Sequence, residues 1–198
     1  MKISPKFILR VAGTLTIISL IVAALLGAVN HVTAGPIAAI NKANTDAALK
    51  MVVTDENSEF EPQEITDDLM AAASAQGGTV TELYAINAGG EQVGYAVKVV
   101  ASGSQGNIEM IVGTDNNKAI TGISVVKHAE TSGIGTKVCN DNAPATNGTP
   151  VLDQFIGLSG AGSLVVKGNI APVSGATVSS TGVTKGANAA LAVVEALA

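Results

Sequence analysis

The chain has no tryptophan, one cysteine, two histidines and one arginine, and aromatic residues fill only 3% of its 198 positions. A lone Cys139 excludes an internal disulfide, a CxxC redox pair, a CxxCH haem site and a four-cysteine cluster. His31 and His128 have no second imidazole or cysteine at ligand spacing, so no metal site is read from them. Any redox group must therefore be held without thiolates. Phe60, Tyr84, Tyr95 and Phe155 read first as packing residues.

Positive charge is scarce after the first ten residues. Lys2, Lys6 and Arg10 stand at the start, leaving 8 lysines against all 16 acidic residues beyond residue 29. A body so acidic repels phosphates, which argues against nucleic-acid binding, and is repelled by anionic lipid heads. Yet Val11 to Val29, "VAGTLTIISLIVAALLGAV", carries no charge. Its 19 residues approach the ~20 that a helix needs to cross a bilayer core. The basic residues before it keep residues 1–10 in the cytoplasm and place the rest of the chain outside. A cleaved secretory signal ending at "VTA" (Val32 to Ala34) is the competing reading, but signal cores usually run to only ~7–15 apolar residues. The helix, not the charged surface, then holds the chain at the cytoplasmic membrane as a single pass.

Residues 30–68 read as a helical and acidic linker. Ile37, Ile40, Ala43, Ala47 and Met51 have helical spacing, either continuing the span or restarting after Gly35-Pro36. "DENSEFEPQEITDD", with seven acids in residues 55–68, matches no EF-hand loop and reads as a solvated linker. Two hairpins come next. "TVTELYAI" and "QVGYAVKVVA" flank Asn87-Ala88-Gly89-Gly90, and "NIEMIVGT" and "AITGISVV" flank Asp115-Asn116-Asn117-Lys118. These predict a four-stranded antiparallel meander. "VLDQFIGL" (151–158) suggests a short helix, "SLVVKG" (163–168) a strand, and "GSQG" (103–106) a turn. A last helix is expected from about Ser180 to Leu197, striped by Val183, Ala187, Leu191, Val194 and Leu197, with Ser179 or Ser180 as cap. The fold class is α+β: an antiparallel sheet covered by helices, with one N-terminal transmembrane helix.

One stretch stands out against this background. "APVSGATVSSTGV" (171–183) gathers three serines and two threonines with no acid, base or histidine to activate a nucleophile. It precedes a helix, whose N-terminal amides and dipole suit a phosphate, and Gly175 and Ala176 allow close approach. Read on residues alone, it is an anion-binding turn or a plain helix cap.

"SGAT" followed by hydroxyl residues at the foot of the last helix resembles the flavinylation motif of the FMN-binding domain family. The resemblance implies that Thr177 carries FMN as a phosphoester made by a separate flavin transferase, so the chain needs no activating base. Ser174, Gly175 and Ala176 would shape the approach, while Val178, Ser179 and Ser180 would offer amides or hydroxyls to the phosphate. "KHAETSGIGTKV" (127–138) resembles the same family's H-x-E-T-P-G-L-G segment beside the flavin ring, which assigns Glu130, Thr131, Gly133, Ile134 and Gly135 to cofactor binding. Two departures stand: Ala171 where the motif has an acid, and Ser132 where the loop has proline.

The order of span, helix, hairpins and motifs resembles, over nearly the whole chain, the members of this family that serve Rnf electron-transport complexes. The implied organisation is an extracytoplasmic FMN-binding domain at 69–198. The implied activity is electron carriage between ferredoxin and NAD, coupled to sodium or proton translocation. Implied partners are membrane subunits, one flavinylated and others with iron–sulfur centres, plus the transferase. The alternatives are a stand-alone membrane-anchored flavin carrier and an anchored binding domain without cofactor.

Overall fold

The computed structural model describes residues 5–53, 55 and 57–197, which divide into two units, Met1–Ala43 and Asn44–Ala198. Helix α1 is Pro5–Met51, and its apolar stretch is long enough to cross a membrane, with none of that window buried. Within it Thr14, Thr16 and Thr33 donate their hydroxyls to the carbonyls four residues back, each at 2.9 Å, so their polarity is satisfied without water. Of the two options at Gly35-Pro36 the helix takes the continuous one, with Pro36 inside it.

In the second unit five strands are formed by the described residues: β1 Glu59–Pro62, β2 Gly78–Ala88, β3 Glu91–Ser102, β4 Asn107–Asp115 and β5 Ile120–His128. All neighbouring pairs are antiparallel and the spatial order equals the chain order. The expected four-stranded meander is β2 to β5. Its turns are set locally: Gly89 and Gly90 take φ of 61° and 87°, and the Asp115 carboxylate accepts the amides of Asn117 and Ala119.

The sheet is covered on one face by α2 (Asp67–Ala75) and α4 (Thr177–Ala196), around a core containing Leu83, Val97, Met110, Phe155 and Leu191. α4 can lie close to the sheet because it presents glycines there. A Cβ at Gly182 would come within 2.7 Å of the Ser102 carbonyl, and one at Gly186 within 2.6 Å of Met110 Cε. The other face is covered by the end of α1, where Ala48 and Leu49, with Val52 just beyond, form a smaller core with Ile86, Ala96 and Ile111. Here the Thr121 hydroxyl donates to the Val52 carbonyl at 2.6 Å, and Gly113 leaves that carbonyl its space.

Four expectations need correction. The acidic 55–68 stretch is not all linker. Glu59 and Glu61 keep their side chains exposed while their backbone forms β1, and α2 begins at Asp67. The helix expected over 151–158 shrinks to one 3-10 turn at Asp153–Phe155, ended by extended Ile156. "SLVVKG" forms no strand: Lys167 takes φ of 64° and the chain turns back, leaving a single bridge between Val166 and Ile170. The last helix starts at Thr177, three residues earlier than expected, and Ser179 and Ser180 are buried within its first turn instead of capping it. Their hydroxyls serve tertiary and i−4 bonds, which makes a cap unnecessary as their role.

Candidate functional site

The turn before α4 is fixed by bonds that leave its tip free. Gln154 holds the backbone of Ala171 on both sides, accepting its N–H at 2.9 Å and donating to its carbonyl at 3.0 Å. The Ser180 hydroxyl accepts the Val173 amide at 3.2 Å and donates to the Ala176 carbonyl at 3.0 Å. Gly175 adopts φ of 81°, the left-handed conformation that favours glycine, and turns the chain into the helix. The Ser180 amide closes the first helical bond on Ala176, and the amides of Thr177, Val178 and Ser179 make no hydrogen bond within the described residues. Three amides at the positive end of a 20-residue helix are thus left without a protein partner among the described residues, around Thr177.

The ETSGIG loop arrives beside this helix end from β5. Glu130 is buried, and its carboxylate gathers three elements. One oxygen accepts the Ser104 and Gln105 amides of the β3–β4 turn at 2.7 and 3.1 Å, and the other accepts the Ser179 hydroxyl of α4. Burial works to raise its pKa. The Ser179 hydroxyl, then the Gln105 and Ser104 amides and last the charge of His128, outweigh burial and hold it below the ordinary carboxylate range. The space exists because Gly103 and Gly135 lack side chains: a Cβ at either would lie 2.3 and 2.5 Å from the carboxylate oxygens. His128 accepts the Glu130 amide at Nδ1, which leaves Nε2–H for the Asn140 side-chain oxygen at 2.6 Å.

The two segments singled out in the sequence, 127–138 and 171–183, line one cavity of about 180 Å³ that includes Glu130, Thr131, Ile134, Ala176, Thr177 and Val178. Gly135 and Ser179 also line it, whereas Gly133, at φ of 74°, only turns the loop. Ser174 and Val178 are exposed, Thr177 is half-buried, and Ser180 is turned inward.

A second cavity of about 450 Å³ meets the first at Thr177 and was not foreseen. Its wall is Leu164 to Lys167, and its floor is the face of α4 carrying Thr181, Thr184 and Lys185. Asn188 pins that wall, accepting the Gly162 and Leu164 amides and donating to the Leu164 carbonyl at 2.9 Å. The polar residues at helical spacing from Thr177 were the available signal. The wall that covers them belongs to no motif, so the groove was not legible from them alone.

These features suit a tethered phosphate ester of an aromatic heterocycle. Unpaired amides could receive an anion, a glycine permits the approach, and a largely apolar groove with Lys167 and Lys185 at its margin can take a ring. The class so defined is the FMN-binding domain, and the model of that domain family matches residues 103–192, which include both cavities. Over nearly its full length the chain also aligns with curated relatives. It is 32% identical to the G subunit of the Na(+)-translocating ferredoxin:NAD(+) oxidoreductase complex of Acetobacterium woodii, covering 99% of this chain and 96% of the relative. It is 30% identical to the G subunit of the ion-translocating oxidoreductase complex of Methanosarcina acetivorans, covering 96% of each. The chain belongs to the family of G subunits of Rnf complexes.

Proposed function

We propose that this chain is an electron-carrying subunit of an ion-translocating ferredoxin:NAD oxidoreductase, with FMN esterified through its phosphate to Thr177. The observation that carries the reading is the half-buried Thr177 at the junction of two cavities, with three unpaired helix amides around it. When bound, FMN supplies one- and two-electron transfer. The residues of the chain position and shield it. The amides of Thr177, Val178 and Ser179 meet the phosphate, Thr131 and Ile134 stand on one side, and Leu164 to Lys167 on the other. Among the described residues the one carboxylate lining the cavity with Thr177, Glu130, is bonded to Ser104, Gln105 and Ser179 and not to the Thr177 hydroxyl, which supports attachment by a separate transferase. The fixed turn at Ala171, held by Gln154 through its backbone, supports recognition without an acidic side chain at that position.

The apolar part of α1 is the single membrane span, the domain from residue 69 lies outside the cytoplasmic membrane, and the partners are membrane subunits with flavin and iron–sulfur centres. The subunit does no substrate chemistry of its own. Relatives named for sodium and for protons both align with this chain, so the coupled ion is not assigned. The test is intact-mass spectrometry with peptide mapping on chain produced with a flavin transferase. The expected result is one FMN, less water, on the peptide holding Thr177, lost entirely in Thr177→Ala. A colourless, unmodified wild-type chain overturns the attachment.

A further inference from the structure

Glu130 is the one charged side chain among the described residues that is buried, and no lysine or arginine pairs with it there. Every bond to its carboxylate comes from a neutral donor: two backbone amides and the Ser179 hydroxyl. His128 touches the Glu130 backbone and not its carboxylate: its Nδ1 accepts the Glu130 amide at 3.1 Å, and its charge is the last of the influences that lower the Glu130 carboxyl. The other titratable group facing it is Cys139 of the short helix α3 (Thr136–Cys139), whose thiol burial and Glu130 push up to about 12, so it adds no charge near neutrality. Hydrogen bonds from neutral dipoles keep a carboxylate ionised without cancelling its field at a distance. That field is weakly screened inside the protein, and the carboxylate lines the cavity that Thr177 also lines.

We propose that Glu130 is a positioning residue for the attached flavin: it locks the first turn of α4 through Ser179, and its negative charge, paired with no lysine or arginine, lowers the flavin's reduction potential. The inference rests on the attachment at Thr177. It assigns Glu130 no direct contact with the ring, because its carboxylate oxygens are already taken by protein donors. Electrons added to the flavin increase negative charge in the neighbourhood of an anion that cannot leave, so the reduced form is disfavoured relative to the oxidised one.

Glu130→Gln tests this because an amide oxygen can still accept from Ser104 and Gln105, and its NH2 can still donate to Ser179. The loaded variant should shift the oxidised-to-reduced ratio at fixed poise roughly tenfold toward reduced, about 59 mV upward for a one-electron couple. Glu82→Gln, on the opposite face of the sheet, should leave the potential unchanged. FMN on the Thr177 peptide with an unshifted potential in Glu130→Gln overturns this inference alone; a wild-type chain without FMN on Thr177 overturns the attachment and this inference with it. Should Glu130→Gln fail to fold or load, the wild-type chain gives the answer by reciprocity: reducing the flavin must raise the pKa of Glu130 by the same coupling. Carbon-13 NMR of labelled glutamate would read that rise, and a Glu130 titration identical in oxidised and reduced chain overturns the proposal.

Discussion

Two carboxylates in this domain are held below the ordinary carboxylate range by different means. On the face covered by the end of α1, Glu82 is opposed by burial but lowered by hydrogen bonds from Lys98 and Tyr84 and by the charge of Lys98, 2.6 Å away. Lys98 also donates to Thr45 of α1 at 3.1 Å, so the pair ties the helix to β2 and β3. On the face covered by α4, Glu130 is paired with no lysine or arginine among the described residues, and its side chain is less exposed. The first arrangement cancels its own field and serves as a structural tie. The second keeps its field, and it lies beside Thr177.

The sharpest way to break the contrast is Glu130→Ala. It orphans the buried Ser179 hydroxyl, at roughly 1–3 kcal/mol, and loses the bonds to the Ser104 and Gln105 amides, at roughly 0.5–1 kcal/mol each because those residues are exposed, so the loss should be about 3 kcal/mol. Thermal melts of the flavin-free chain should fall by about 9 °C. Gly135→Ala comes next. Its Cβ would sit 2.6 Å from Glu130 Cβ and 3.0 Å from the Ser179 hydroxyl oxygen, an overpacking expected to cost about 2 kcal/mol in the same melts. Lys98→Met should cost about 1 kcal/mol or less, because the Glu82 side chain is 37% exposed and water replaces its partner.

The smallest effect is in the acid limb. Both carboxylates are lowered from 4.5, so each contributes stability that is complete above that pH and is lost as pH falls through the folded value. Melts between pH 7 and pH 3 should therefore show a shallower acid decline in Glu130→Gln than in wild type. The change in Glu82→Gln should be smaller, because solvent screens that pair.

Much of the fold was legible because its signals are local. Alternating β-branched residues and the Asn87–Gly90 and Asp115–Lys118 turns announced β2 to β5, and the stripe from Val183 to Val194 announced α4. Strand β1 was not legible: it is four residues long, and its acidic side chains, Glu59 and Glu61, face solvent. "SLVVKG" misled because its valines resemble a strand, whereas the Lys167 backbone turns left-handed. Ser179 and Ser180 have the composition of helix caps. That reading was displaced by Glu130, Val173 and Ala176, partners brought to them only by tertiary packing and the turn before the helix.

The sequence by itself determined the uncharged span, the acidic body, the meander and the two motifs. These depend on residue spacing along the chain, which folding does not alter. The tertiary structure alone decided that the two motifs share a cavity, that a second groove opens beside Thr177, and that Glu130 is buried without a lysine or arginine partner among the described residues. Those facts depend on which distant segments meet. That meeting is governed by close packing, here by glycines 103, 135, 182 and 186, whose missing side chains allow the loops and α4 to approach.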